Sequence, residues 1–154
     1  MAEQNLEKEL AAVFEGRKQL RDVLSFSPDQ MVLLTEMAYT FFREGRYEEA
    51  RVLFEGLVAL DMNNAYYYRA LGAVAQRMGK NDAAVRYYQR ALKLNESEPE
   101  VWANMGEILL VEGELERALG CLEKAETLFR LHHPRAPQRR RVQALLKNYR
   151  SAAK

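Results

Sequence analysis

A single cysteine, Cys121, is the whole thiol content of this 154-residue chain. No internal disulfide is possible, and nothing points to an oxidising compartment. Prolines are few (Pro28, Pro99, Pro134 and Pro137), which leaves long stretches free of helix breakers. No apolar run approaches the roughly 20 residues needed to span a bilayer. The opening MAEQNLEKEL is charged and has no apolar signal core, so a cytoplasmic location is expected and no membrane is expected as a partner. Neither common phosphate-binding glycine loop occurs. Histidine is limited to the adjacent His132 and His133, which offer no Ser-His-acid arrangement and, with Cys121, no standard zinc set. Glu48 and Glu49 lie at a helix start, where acids favour the helix dipole and are not a catalytic pair. No cofactor, metal site or catalytic residue is expected, and the chain does not read as an enzyme.

Acid is missing from one end. From Thr127 onward there are eight basic residues (Arg130, Arg135, Arg139, Arg140, Arg141, Lys147, Arg150 and Lys154) and no acid, so the net charge of +1 hides an asymmetry. The first 126 residues carry 15 basic and 22 acidic groups, a net of −7.

What is present is a repeat. Gly45, Gly79 and Gly113 are 34 residues apart, as are Ala50, Ala84 and Ala118, and Gly72 and Gly106 repeat the interval. The blocks 31–64, 65–98 and 99–132 align on these positions without insertion or deletion. Each block reads as helix, turn, helix. In the second, Tyr68, Leu71, Ala75 and Met78 keep a helical spacing, Gly79-Lys80-Asn81-Asp82 breaks it, and Ala84, Tyr88, Ala91 and Leu92 resume it. A glycine closing each first helix suits a left-handed cap. Small residues at Gly72, Ala84, Gly106 and Ala118 allow paired helices to approach to roughly 8–10 Å. Pro28 follows Ser27 with a capping-box spacing to Gln30, and Ser97 and Glu100 repeat that spacing around Pro99.

Both ends of such a stack need covering. Beyond Pro137, Val142, Leu145, Leu146 and Tyr149 form a stripe that reads as a capping helix over 138–151. The alternative, an acidic or nucleic-acid partner for Arg139-Arg140-Arg141, lacks interleaved aromatics, so nucleic acid is not the expected partner. In region 1–30, Leu6, Leu10, Val13 and Phe14 make one stripe and Leu20, Val23 and Leu24 another. They either pack on the first repeat or form a homodimer contact.

The first helix of each hairpin lines the concave face of a helical solenoid, the surface that repeat proteins use for binding. By register, the first block presents Val32, Thr35, Glu36, Tyr39, Phe42 and Arg43 there, and the second Tyr66, Arg69, Ala70, Ala73, Gln76 and Arg77. The third presents Glu100, Ala103, Asn104, Glu107, Leu110 and Val111. Tyr39, Phe42 and Tyr66 with nearby arginines are typical interface anchors and suit an extended apolar segment, more so if proline stiffens it. The alternative is that these rings only fill space between helices.

The pattern is similar to the tetratricopeptide repeat. Trp102, Met105-Gly106, Leu109, Ala118, Leu122 and Ala125 carry it in the third block, and Tyr68, Leu71-Gly72, Ala84, Tyr88 and Ala91 in the second. The first departs from it at Ala38 and Leu57, and the family's late proline is replaced by Met62, Glu96 and Arg130. The expected fold is therefore all-α: three tandem repeats over 31–132, an N-terminal helical region and a basic C-terminal capping helix. The carboxylate clamp that some of these domains use would fall on Thr35, Tyr39, Ala70, Glu100 and Asn104. Only the Asn suits it.

The run from Ala38 to Ala50, AYTFFREGRYEEA, and the continuation from Phe54 to Asp61, FEGLVALD, resemble the class II type III secretion chaperones. The resemblance implies a bacterial cytoplasmic protein whose groove holds an extended apolar segment of a translocator-like client. It also implies a homodimer through the N-terminal helices. A general protein–protein interaction scaffold remains the alternative reading of the residues.

Overall fold

The computed structural model describes residues 2–152; Lys154 of the basic tail and Met1 of the 1–30 region lie outside the described residues. Nine helices form among the described residues: α1 (Ala2–Phe14), α2 (Leu20–Val23), α3 (Pro28–Arg43), α4 (Tyr47–Leu60), α5 (Ala65–Arg77), α6 (Asn81–Leu94), α7 (Pro99–Val111), α8 (Leu115–His132) and α9 (Pro137–Ala152). Two compact units divide the chain, one ending at Gly79 and the other starting at Lys80. The second block thus gives α5 to the first unit and α6 to the second.

In the first unit, α3 begins at Pro28 because its end is chemically closed. The Gln30 amide donates to the Ser27 hydroxyl (3.2 Å) and the Ser27 amide donates to Gln30 Oε1 (2.8 Å), which satisfies two otherwise orphaned donors. The helix stops at Gly45, whose φ of +78° recurs at Gly79 (+71°) and Gly113 (+77°). There the Arg46 amide turns back to the Phe41 carbonyl at 2.9 Å, a closure that costs a residue with a Cβ steric strain. α4 then starts with Glu48 and Glu49 in its first turn. A hydrogen bond from its own backbone amide, then one from Arg46, holds the Glu49 carboxyl below its ordinary range. α3 and α4 pack together, and Ala38, Ala50, Phe54 and Leu57 are all buried between 0% and 1% exposure.

The N-terminal region reaches this hairpin through α2. Arg21 Nη1 donates to Asp61 Oδ2 at 2.8 Å, and Gln19 Oε1 accepts from the Met62 amide at 3.2 Å. Asp61 also accepts the Asn63 amide, so one buried carboxylate organises the turn from α4 to α5. The α1 stripe is only partly covered: Val13 is buried, while Leu6 and Phe14 are exposed.

Register exposes a second difference within this unit. Leu33 and Met37 of α3 correspond, at 34-residue steps, to Tyr67 and Leu71 of α5 and to Val101 and Met105 of α7. The later four are 0–6% exposed, whereas Leu33 is 58% and Met37 43% exposed. α5 has α4 packed against it and α7 has α6, but α3 has no repeat before it.

In the second unit, α7 and α8 approach closely at Gly106. A Cβ built there would lie 2.9 Å from Leu122 Cγ and 3.3 Å from the Ala118 carbonyl oxygen, so the small-residue reading holds for this pair. α8 has 18 residues where α4 and α6 have 14. The capping box expected around Pro99 does not form. Pro99 is the first helical residue, so Glu98 is the cap, without a side-chain bond. Ser97 stands one residue too early, and its amide is taken by the Asn95 side chain at 3.1 Å.

α9 covers the end of this unit. Val142 and Leu146 enter a cluster with Ala103, Leu122, Ala125 and Phe129, and burial of each large side chain contributes about 1.5–3 kcal/mol. Ion pairs add direction: Arg139 to Glu126 (2.8 Å), Arg141 to Glu107 (2.5 Å) and Arg150 to Glu123 (3.1 Å). Burial pushes the Glu126 carboxyl up, but hydrogen bonds from Arg139 and Gln143 outweigh it and leave it below its ordinary value. Part of the charge asymmetry is thus internal: a basic helix ties itself to acids of the third block.

Candidate functional site

α3 carries Val32, Thr35, Glu36, Tyr39, Phe42 and Arg43, and α5 carries Tyr66, Arg69, Ala70, Ala73, Gln76 and Arg77. All twelve are exposed or half-buried. A residue that only filled the hairpin interior would be buried like Phe54 or Leu71, at 1% exposure.

Tyr66 brings the two helices together. One recess of about 380 Å³ is lined by Thr35, Glu36, Tyr39, Thr40, Arg43 and Tyr66. A second, of about 250 Å³ and mostly apolar, is lined by Val32, Thr35, Glu36 and Tyr66 with Met31, Asn64 and Tyr67. Burial pushes the Tyr66 phenol up against the opposing effect of Arg69. The Thr35 hydroxyl donates to the Met31 carbonyl (2.8 Å) and that of Thr40 to the Glu36 carbonyl (2.9 Å), so both are satisfied inside the helix. Neither recess includes Ala70, Ala73 or Gln76.

Aromatic rings run on from there. The Tyr39 and Phe42 centroids are 6.1 Å apart and those of Phe42 and Tyr47 5.7 Å, all tilted. Arginines lie over these rings: Arg43 at 5.6 Å from Tyr39, Arg69 at 5.0 Å from Tyr66, and Arg77 at 5.9 Å from Phe42 and 5.6 Å from Tyr47. A ring beneath a guanidinium attracts its charge and helps to orient it. Tyr47 belongs to this wall, since its hydroxyl accepts from Arg77 Nε at 3.1 Å. Register alone passed over it because it opens α4, a second helix; its place two residues after Gly45 is the signal that was there to use.

The third block differs from the expectation. Ala103 is buried in the cluster with Val142 and Leu146, Leu110 packs on the same cluster, and Glu107 is paired with Arg141. α9 occupies those positions, so they are not open wall. Asn104 donates to the Tyr88 hydroxyl at 3.4 Å, while Val111 stays exposed. Cys121 is buried and free, and burial pushes its thiol up, which makes it an inert packing residue.

Helix pairs at a 34-residue step, closed by left-handed glycines and presenting a ring-lined wall on their first helices, define a tetratricopeptide-repeat protein. Tetratricopeptide-repeat family models match residues 29–97 and 69–138. The chaperone protein SicA of Salmonella typhimurium is 31% identical over 112 residues, 73% of this chain and 67% of that protein. Low calcium response locus protein H of Yersinia pestis is 32% identical over 102 residues, 66% of this chain; the match spans 61% of the relative's length. Among solved structures, the Yersinia enterocolitica type III secretion chaperone SycD in complex with a peptide of the translocator YopD superposes with a TM-score of 0.79 at 28% identity, covering 83% of this chain and 98% of that one. The chain belongs to the tetratricopeptide-repeat chaperone family of SicA and SycD. Among the described residues no helix is long and apolar enough to cross a membrane.

Proposed function

We propose that this protein is a cytoplasmic bacterial chaperone of type III secretion, which holds an extended apolar segment of a translocator client in the wall formed by α3 and α5 and keeps that client soluble before export. The observation that carries the reading is the likeness to SycD, solved in complex with a translocator peptide, a likeness that covers 98% of that chain. The wall supplies a physical means. Tyr39, Phe42 and Tyr66 are rigid, partly exposed rings, and an extended segment laid on them hides its apolar side chains from water and from other clients.

Homodimerisation is part of the proposal. Leu33 and Met37 leave an apolar face on α3, and Leu6 and Phe14 leave another on α1; a second copy would cover them. SycD has itself been solved as an alternative dimer.

The test is co-expression with a translocator protein followed by purification. Phe42→Glu and Tyr66→Glu should each abolish client recovery while the helical circular dichroism signal persists. Client retained by both variants would overturn the groove reading. Recovery of whole client without binding to any short segment of it would instead favour a scaffold that joins folded proteins.

A further inference from the structure

Of the seven arginines in the unit that ends at Gly79, Arg69 lies over the Tyr66 ring at 5.0 Å and the other six divide by partner. Arg17 pairs with Glu15, Arg21 with Asp61 at 2.8 Å, Arg46 with Glu49 at 3.0 Å and Arg51 with Glu55 at 2.7 Å. Arg43 and Arg77, both on the candidate wall, are different. Among the described residues neither meets a carboxylate: Arg43 lies on the Tyr39 ring and donates to the Thr40 hydroxyl at 3.5 Å, and Arg77 lies on the Phe42 and Tyr47 rings and donates to the Tyr47 hydroxyl. Glu36 lines the same recess as Arg43 yet makes no ion pair with it. The two arginines are also one 34-residue step apart, and they stand at the two ends of the ring series Tyr39, Phe42, Tyr47.

In a body with an excess of acid, arginines without carboxylates are worth explaining. A guanidinium held over a ring loses part of its hydration and rotational freedom before any partner arrives. Its remaining N–H donors are then preorganised for an anion, so less ordering is needed on binding. We propose that the segment held in this groove carries a carboxylate side chain beside its apolar residues, and that Arg43 and Arg77 receive it next to the Tyr39–Phe42–Tyr47 rings. The inference rests on the groove reading above and adds a charge requirement to it. Apolar side chains supply the burial, and the acid sets position along the wall.

The experiment uses the full-length protein and fluorescence anisotropy with short synthetic peptides. Each peptide contains valine, leucine and proline, and carries Glu at one intervening position, with a Gln twin for every Glu peptide. At low salt one Glu peptide should bind about tenfold more tightly than its twin, a difference of roughly 1.4 kcal/mol, and the gap should shrink as salt is raised. Arg43→Gln combined with Arg77→Gln should erase the gap, so that each Glu peptide binds no more tightly than its Gln twin to the same variant. Arg43→Lys with Arg77→Lys should keep part of it, since the charge survives while the planar fork does not. Equal binding of all twins would overturn this inference and leave the groove reading standing, as would a gap that survives the double Gln variant. Binding of no peptide, or binding indifferent to Tyr66→Glu, would overturn the groove reading and this inference with it.

Discussion

The unit ending at Gly79 and the unit starting at Lys80 are built from the same repeat and finish their surfaces differently. Of the twelve large hydrophobic side chains exposed among the described residues, nine belong to the first unit and three to the second. Arg139, Arg141 and Arg150 of α9 are tied to Glu126, Glu107 and Glu123, whereas Arg43 and Arg77 of the first unit rest on aromatic rings. A repeat needs its hairpin core wherever it stands, so the core positions Ala50 and Ala118 are equally buried. The positions outside that core are free to vary. In the second unit several of them pack under α9, and in the first many stay exposed.

The comparison can be broken most severely from the second unit. Phe129→Ala removes a side chain with 0% exposure from the cluster that holds α9, and should cost about 3–5 kcal/mol, read as a drop in the urea midpoint. If the loss is under about 1 kcal/mol, α9 is not a structural cap. Gly106→Ala should cost about 1–3 kcal/mol from crowding, because the new methyl meets buried Leu122 and the Ala118 backbone. The helix-propensity gain of about 1 kcal/mol offsets only part of that. The first repeat already carries Ala38 there at 0% exposure, so a neutral Gly106→Ala would mean that the two hairpins are spaced alike.

Smaller effects separate the two surfaces. Glu126 has a lowered folded pKa, so its stabilisation is present above its ordinary value of 4.5 and is lost as pH falls through the lower folded value. Glu107 runs the other way: burial raises it despite Arg141, so its protonation favours the fold as pH falls. Glu126→Gln should therefore lower stability at neutral pH by under about 1 kcal/mol and flatten the acid limb of a stability–pH curve. An unchanged limb would show that α9 is held by its apolar contacts alone. Least of all, Leu33→Asp with Met37→Asp should leave stability within about 0.5 kcal/mol while lowering the mass found by light scattering from dimer to monomer. An unaltered mass would remove α3 from the dimer contact.

Much of this was legible in the chain. The glycine step, the alanine step and Ser27-Pro28 each state a local steric or hydrogen-bonding need that no distant contact has to supply, and they placed the helix ends and the hairpin cores. The face formed by Tyr39, Phe42 and Tyr66 followed from register. What register could not reveal is which neighbour occupies a face. Glu107 and Ala103 sit at wall positions by spacing, yet a helix more than 30 residues further on covers them. Leu33 looks in the sequence like its buried counterparts Tyr67 and Val101, and its exposure depends on no repeat standing before it. Ser97 shows the limit at the scale of one residue, where moving the cap by a single position handed its amide to Asn95.

The ion pair between Arg21 and Asp61 bears on how the two proposed interactions can be separated by dissection. Asp61 is 8% exposed and holds the turn that launches α5, the helix bearing Tyr66 and Arg77. Deleting α1 and α2 to obtain a monomer would also strip that carboxylate of its guanidinium and leave a nearly buried charge beside the client wall. Loss of client by such a truncation would not distinguish a missing dimer from a loosened turn. Point substitutions at Leu33 and Met37 keep Arg21 in place, and so test self-association and client binding as independent properties.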